Sequence, residues 1–254
     1  MTEQLLIGQS RLYLFTAGMF LLGAVLFALL ALRQPSGPRR FLLISTIPPA
    51  AMAITYILMA QDVATVEVTA AGRQQSVMRF VGYTVVLSAL GLVFNRLVSP
   101  SRRLFAVLFA VFVFTPWAAL ASWLVSGAAE SLMNGLVFVG YLTGCYLLFG
   151  PTERSAKTVS DGRRLLFAKL RNLFVICWAA LIIQSVVSEQ SLGLTNFFVG
   201  QITVGYTDAV LAFGIFGLVY AGKNALTDDS STESRQNKQT DNSIKEPTEL
   251  RTQD

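Results

Sequence analysis

Two charged residues stand where the chain is otherwise apolar. Arg79 lies in "SVMRFVGY" (76–83) and Asp208 in "VGYTDAVLAFGIFG" (204–217). A charge in such surroundings is costly, so each needs a partner or a task. An arginine and an aspartate can neutralise one another as a buried ion pair. Otherwise Arg79 reaches toward a polar boundary and Asp208 takes hydroxyl donors. Tyr56, Tyr83, Tyr206 and Thr207 are the available hydroxyls.

Other reactive residue types argue against catalysis. The chain has no histidine, which excludes histidine-based zinc sites and histidine acid–base chemistry. Cys145 and Cys177 lie in apolar runs without C-x-x-C spacing and read as small buried side chains. Ser88 and Ser185 have no neighbouring histidine or lysine to activate them. Glycines are scattered along apolar segments, where they permit close helix approach, and form no phosphate-binding loop. No enzyme is expected. The five lysines, Lys157, Lys169, Lys223, Lys238 and Lys245, all fall in or beside polar segments.

The elements that position Arg79 and Asp208 are membrane helices. Of 254 residues, 53% are hydrophobic and 14% charged, and the mean hydropathy is +0.55, too apolar for a water-facing surface. An apolar run of ~20 residues spans a bilayer as a helix, the form that satisfies backbone polar groups internally. Seven runs qualify: Leu12–Leu32, Phe41–Ala60, Val77–Val98, Leu104–Val125, Leu132–Gly150, Leu165–Val187 and Thr195–Gly222. The fold class predicted is all-α, a seven-transmembrane-helix bundle over residues 1–223.

Basic residues gather on one side of these spans. Arg33, Arg39, Arg40, Arg96, Arg102, Arg103, Arg154, Lys157, Arg163, Arg164, Lys169, Arg171 and Lys223 flank alternate loops, while Asp62, Glu67, Arg73, Glu130 and Glu189 lie on the other. The positive-inside rule places the N-terminus outside and the C-terminus in the cytoplasm. This explains the net charge of +5 without nucleic acid. The N-terminal segment "MTEQLLIGQSR" lacks a basic n-region and a cleavage site, so the first run is expected to be retained. Residues 224–254 are polar, lack aromatics, and are expected to be a disordered cytoplasmic tail.

These features resemble the microbial (type I) rhodopsins, and the haloarchaeal sensory rhodopsin II branch most. "KLRNLFVICWAAL" is similar to the family's L-R-N-x-x-V-x-x-W, with Trp178 in the ring-packing place. "RQPSGPRRFLL" resembles the first cytoplasmic loop of that branch and "GPTERSA" its fifth-span exit. "MRFVGY" resembles R-Y-x-D-W, and "YTDAVLAFGIFG" resembles D-x-x-x-K-x-G-F-G. The likeness covers about residues 12–222 and implies a multi-pass protein of a prokaryotic, archaeal-type plasma membrane.

The departures from the pattern are as informative. The family joins retinal as a Schiff base to the lysine one turn after the aspartate matched by Asp208; here that position is Ala212. The main counterion position is Gly82, and the aromatic after it is Tyr83. One positive and one negative charge are thus missing together, leaving Arg79 and Asp208 as the residual cluster. The cytoplasmic donor position is Val93, and Leu181, Ile182 and Ser185 replace the family's Tyr, Pro and pocket Trp. The resemblance therefore implies a rhodopsin-like protein with no covalent retinal and no light-driven pumping. A residual pocket of Tyr56, Tyr83, Met133, Trp178, Leu181 and Ser185 could hold a non-covalent retinal or carotenoid, or could be filled by side chains.

In the resembled branch a tyrosine at the place of Tyr206 bonds to a transducer's membrane helices. Two residues place Tyr206 ~200° around the helix from Asp208, so it faces outward when Asp208 faces inward. The partners expected are lipid and a membrane protein, either transducer-like or another opsin, or a second copy of the chain. The alternatives are a carrier or sensor of an apolar ligand, and a passive ion pathway along Arg79, Asp208, Tyr56, Thr84 and Ser88.

Overall fold

The computed structural model describes residues 2–68, 73–188 and 191–227. In chain order these form α1 (Thr2–Leu32), α2 (Ser36–Ser45), α3 (Ile47–Ala60), β1 (Thr65–Val68), β2 (Arg73–Ser76), α4 (Met78–Val98), α5 (Arg102–Leu124), α6 (Ala128–Phe149), α7 (Pro151–Ala156), α8 (Asp161–Val187) and α9 (Phe197–Ala221), followed by a 3-10 turn at Lys223–Leu226. Seven segments are long and apolar enough to cross a membrane, one for each expected span. The chain is a multi-pass, all-α membrane bundle.

Local chemistry sets the helix boundaries. Ser101 caps α5 by accepting from the Leu104 amide at 3.3 Å, and Asn196 caps α9 by accepting from Val199 at 2.9 Å. The second span is two helices, α2 and α3. Pro48 and Pro49 have no N–H to offer the carbonyls one turn back, so the ladder breaks at Thr46. Pro116 sits inside α5 and removes a ladder bond there.

Three features depart from the expected spans. β1 and β2 form an antiparallel hairpin with Thr65 opposite Ser76 and Val68 opposite Arg73, across a connection expected to be plain loop. The fifth span continues past Gly150 into α7. Glu153 of α7 meets Arg164 at 3.2 Å and Arg171 at 2.7 Å, so α7 is fastened to α8. The expected tail begins too early: Asn224–Leu226 lie in the 3-10 turn, and Leu226 is buried in the core. The remainder of that tail, 228–254, lies outside the described residues.

α1 packs along α3 and α5 along α6; α3, α4, α8 and α9 enclose the centre. Leu14, Phe15, Leu22, Val25 and Leu29 of α1 face outward, as a lipid-facing surface requires. The bundle differs at its two ends. Away from the hairpin, Leu90, Val93, Phe94, Leu97, Phe112, Phe167, Leu170, Phe216 and Val219 are almost fully buried in one apolar mass. Phe94 meets Phe167 edge to face at 5.2 Å. The buried polar side chains Thr55, Arg79, Gln184 and Asp208 lie nearer the hairpin end.

Candidate functional site

Asp208 and Arg79 occupy neighbouring places in the core, on α9 and α4. Asp208 is 2% exposed and Arg79 5%. They do not form the direct pair that their charges offered. The Tyr56 hydroxyl, from α3, donates to Asp208 Oδ2 at 2.8 Å. The Arg79 guanidinium carbon lies 5.9 Å from the centre of the Tyr56 ring, and Nη2 donates to Oε1 of Gln201 at 2.5 Å. Tyr56 therefore stands between the charges: its hydroxyl serves the anion and its ring face meets the cation. Tyr83 lies within electrostatic reach of the carboxylate, while Oδ1 closes no well-aligned hydrogen bond.

The other two hydroxyls are elsewhere. Thr207 donates to the Thr203 carbonyl at 2.9 Å, and Tyr206 is 70% exposed on the outer face of α9. Gln201 was not singled out by the sequence reading. Its position seven residues before Asp208, two helical turns along α9, was the available cue.

Positions 212 and 82 are filled in different ways. Ala212, one turn beyond Asp208, is 1% exposed within the hydrophobic core. Gly82 faces Thr55: a Cβ built at Gly82 would overlap the Thr55 hydroxyl and approach its methyl to 3.1 Å. The volume a larger residue would need at 82 is occupied by Thr55.

Trp178 is held by aromatic neighbours. Tyr141 meets it edge to face at 5.3 Å, Phe112 at 6.0 Å, and Phe174 lies at 5.0 Å. Gly144 of α6 allows this close approach, since a Cβ there would stand 2.7 Å from the indole. On the hairpin side of Trp178 a cavity of about 510 Å³ opens between α4, α5, α6, α8 and α9. Tyr83, Leu181 and Ser185, named in the expected residual pocket, line this cavity. Two expected members do not. Met133 is not among the lining residues, and Glu130, Asn134, Val137 and Phe138 form that wall of α6. Tyr56 is packed behind the wall, stacked on Phe20 at 5.7 Å and bonded to Asp208. On α9 the wall is Phe197, Gly200, Gln201, Val204 and Leu211, with neither Asp208 nor Ala212.

The bundle has clear relatives. A family model described as "Bacteriorhodopsin-like protein" matches residues 8–224. Sensory rhodopsin-2 of Natronomonas pharaonis is 26% identical over 214 residues, covering 84% of this chain and 88% of that protein. Among solved structures, a thermophilic rhodopsin from Rubrobacter xylanophilus superposes with a TM-score of 0.80 at 22% identity, covering 88% of this chain and 99% of that one. A cyanorhodopsin from a Tolypothrix species gives 0.79 at 18% identity, covering 87% and 97%. At these identities the structural matches establish the fold, and the family match over nearly the whole described bundle establishes the kinship. The chain belongs to the bacteriorhodopsin-like family of seven-helix membrane proteins.

Proposed function

We propose that this chain is a rhodopsin-like protein that binds no retinal covalently, does not pump ions, and acts through contacts with other membrane proteins. One observation carries the reading. The buried Asp208 takes its hydrogen bond from Tyr56, and one turn further along α9 stands the methyl of Ala212, which cannot form an imine. The described lysines lie elsewhere: Lys157 follows α7, Lys169 is in the first third of α8, and Lys223 follows α9. The residues present therefore do not fit a tethered retinal. The overlap of any side chain at Gly82 with Thr55 supports the same conclusion for the counterion position.

The apolar half of the bundle argues against ion passage. Thr84 donates to the Phe80 carbonyl at 2.8 Å and accepts from the Trp117 indole N–H at 2.9 Å, so its hydroxyl is already engaged. Beyond Ser88, α4 presents Leu90, Val93, Phe94 and Leu97 to the core. Among the described residues no charged side chain is buried there, and a bare charge is costly at that depth. Signalling, scaffolding or regulation is the kind of task this reading supports. The outward Tyr206, beside Ile202, Thr203 and Val210, gives α9 a face with a hydroxyl suited to a neighbouring helix. That neighbour is a transducer-like helix, another opsin or a second copy. The excess of arginine and lysine at one end sets the N-terminus outside and the C-terminus in the cytoplasm.

The test is reconstitution with all-trans-retinal, followed by borohydride reduction and intact-mass measurement. The expected mass is that of the unmodified chain, with no absorption band shifted well to the red of free retinal. A retinyl adduct or a bleachable visible band would overturn the reading. The second reading, a carrier or sensor of a non-covalent apolar ligand, is favoured by the cavity beside Trp178.

A further inference from the structure

The cavity beside Trp178 has two chemically distinct parts. Its volume of about 510 Å³ lies in the ~300–1,000 Å³ range of small-molecule sites. Its deep wall is apolar: Leu87, Phe138, Phe174, Trp178, Leu181 and Leu211. Toward the hairpin end it is polar, and two donors there have no acceptor. Arg79 gives Nη2 to Gln201, but its Nε makes no hydrogen bond. Gln184 is 8% exposed, and its Nε2 also makes none. Both residues line the cavity, each more than nine-tenths buried. They approach adjacent residues of α9: Arg79 bonds Gln201, and the Gln184 amide nitrogen lies against Gly200, where an added Cβ would be 3.2 Å from it.

Unpartnered buried donors are costly, and a guanidinium without a carboxylate more so. The internal acid, Asp208, does not line the cavity and is bonded to Tyr56. Glu130, in the first turn of α6, is on the wall at the hairpin end but closes no ion pair with Arg79. A group with two acceptor oxygens matches the two donors in number and kind, and an attached hydrocarbon matches the aromatic wall.

We propose that this cavity binds an apolar monocarboxylic acid, its carboxylate accepting from Arg79 Nε and Gln184 Nε2 and its hydrocarbon body lying against Trp178. This goes beyond the reading above and stands independently of it, since no covalent bond to the chain is involved. Straight-chain acids drawn from the membrane and cyclic polyene acids share this chemistry.

The full chain in nanodiscs of zwitterionic lipid would be titrated with cis-parinaric acid. Energy transfer from tryptophan is the readout, since Trp123 and Trp178 both line the cavity. Saturable transfer is expected. The corresponding alcohol should bind at least about tenfold more weakly, because it cannot supply the charged acceptor pair. Arg79→Gln and Gln184→Leu should each weaken the acid by about tenfold, and the alcohol by much less. Should Arg79→Gln fail to fold, Gln184→Leu alone decides. Palmitic and all-trans-retinoic acids then compete as separate arms: displacement by one names the source, and displacement by neither overturns the proposal. Equal affinity for acid and alcohol, transfer that never saturates, or a Gln184→Leu protein that binds the acid unchanged would also overturn it. The intact-mass experiment is unaffected by any of these results, so the two readings fail separately.

Discussion

Tyr56 on α3 and Asp208 on α9 meet across 2.8 Å, hydroxyl to carboxylate, at a place where both side chains are almost wholly out of contact with solvent. The same phenol turns its ring toward Arg79 at 5.9 Å. One neutral side chain thus separates a buried cation from a buried anion and contacts both. This arrangement replaces the direct ion pair that the charges alone suggest.

Removing that hydroxyl should be felt as stability. Tyr56→Phe leaves the ring stacked on Phe20 but strips a buried carboxylate oxygen of its donor. A loss of about 1–3 kcal/mol is expected. In a double-mutant cycle, Asp208→Asn should recover part of it, since the amide has less charge to satisfy. Unfolding midpoints in mixed micelles measure both. Equal stability of Tyr56→Phe and the parent chain would remove Tyr56 from its central place.

Placing an acid at position 82 should fail sterically. The Thr55 hydroxyl and methyl occupy the space that the first carbon of the new side chain would enter. Gly82→Asp should cost about 1–3 kcal/mol from overpacking alone, with desolvation of the acid in addition. Thr55→Ala in the same chain should return part of the loss. If the single substitution is neutral in thermal unfolding, the close approach of α3 and α4 is looser than described.

Light should move no protons. Vesicles containing the chain, supplied with retinal and illuminated, are expected to show no pH change beyond that of empty vesicles. The physical reason is the half of the bundle away from the hairpin, where Leu90, Val93, Phe94, Phe167 and Phe216 are buried and no described charged residue is. A steady light-dependent pH gradient would refute this.

Tyr206 should matter to association and not to folding. It is largely exposed and makes no hydrogen bond to another described residue, so Tyr206→Phe should change stability by less than about 0.5 kcal/mol. Cross-linking in native membranes should nevertheless fall, because the hydroxyl is the polar group on that face. Unchanged cross-linking would leave Tyr206 as an ordinary residue of the lipid boundary.

Much of this protein was legible in its residues. Hydropathy delimited seven spans because a bilayer demands long apolar helices, and each appears within a few residues of its expected bounds. The motifs around Arg79, Trp178 and Asp208 carried the family. The break at Thr46 could have been read from Pro48 and Pro49. The hairpin could have been suspected from "TVEV" and "RQQS", but strands of four residues give too weak a periodicity.

What remained hidden depended on separations far along the chain. Tyr56 and Asp208 are 152 residues apart, and Arg79 and Gln201 are 122 apart. No local pattern ranks one tyrosine or one glutamine above another as the partner. Only the packing of the helices chose Tyr56 over Tyr206, placed Thr55 in the space beside Gly82, and set Asn134, not Met133, in the cavity wall. Composition and helical periodicity determined that charges would be buried in a membrane bundle, because burial follows from local hydropathy. Which groups satisfy those charges was decided by the tertiary structure, because hydrogen bonds depend on distances of a few tenths of an ångström between helices remote in sequence.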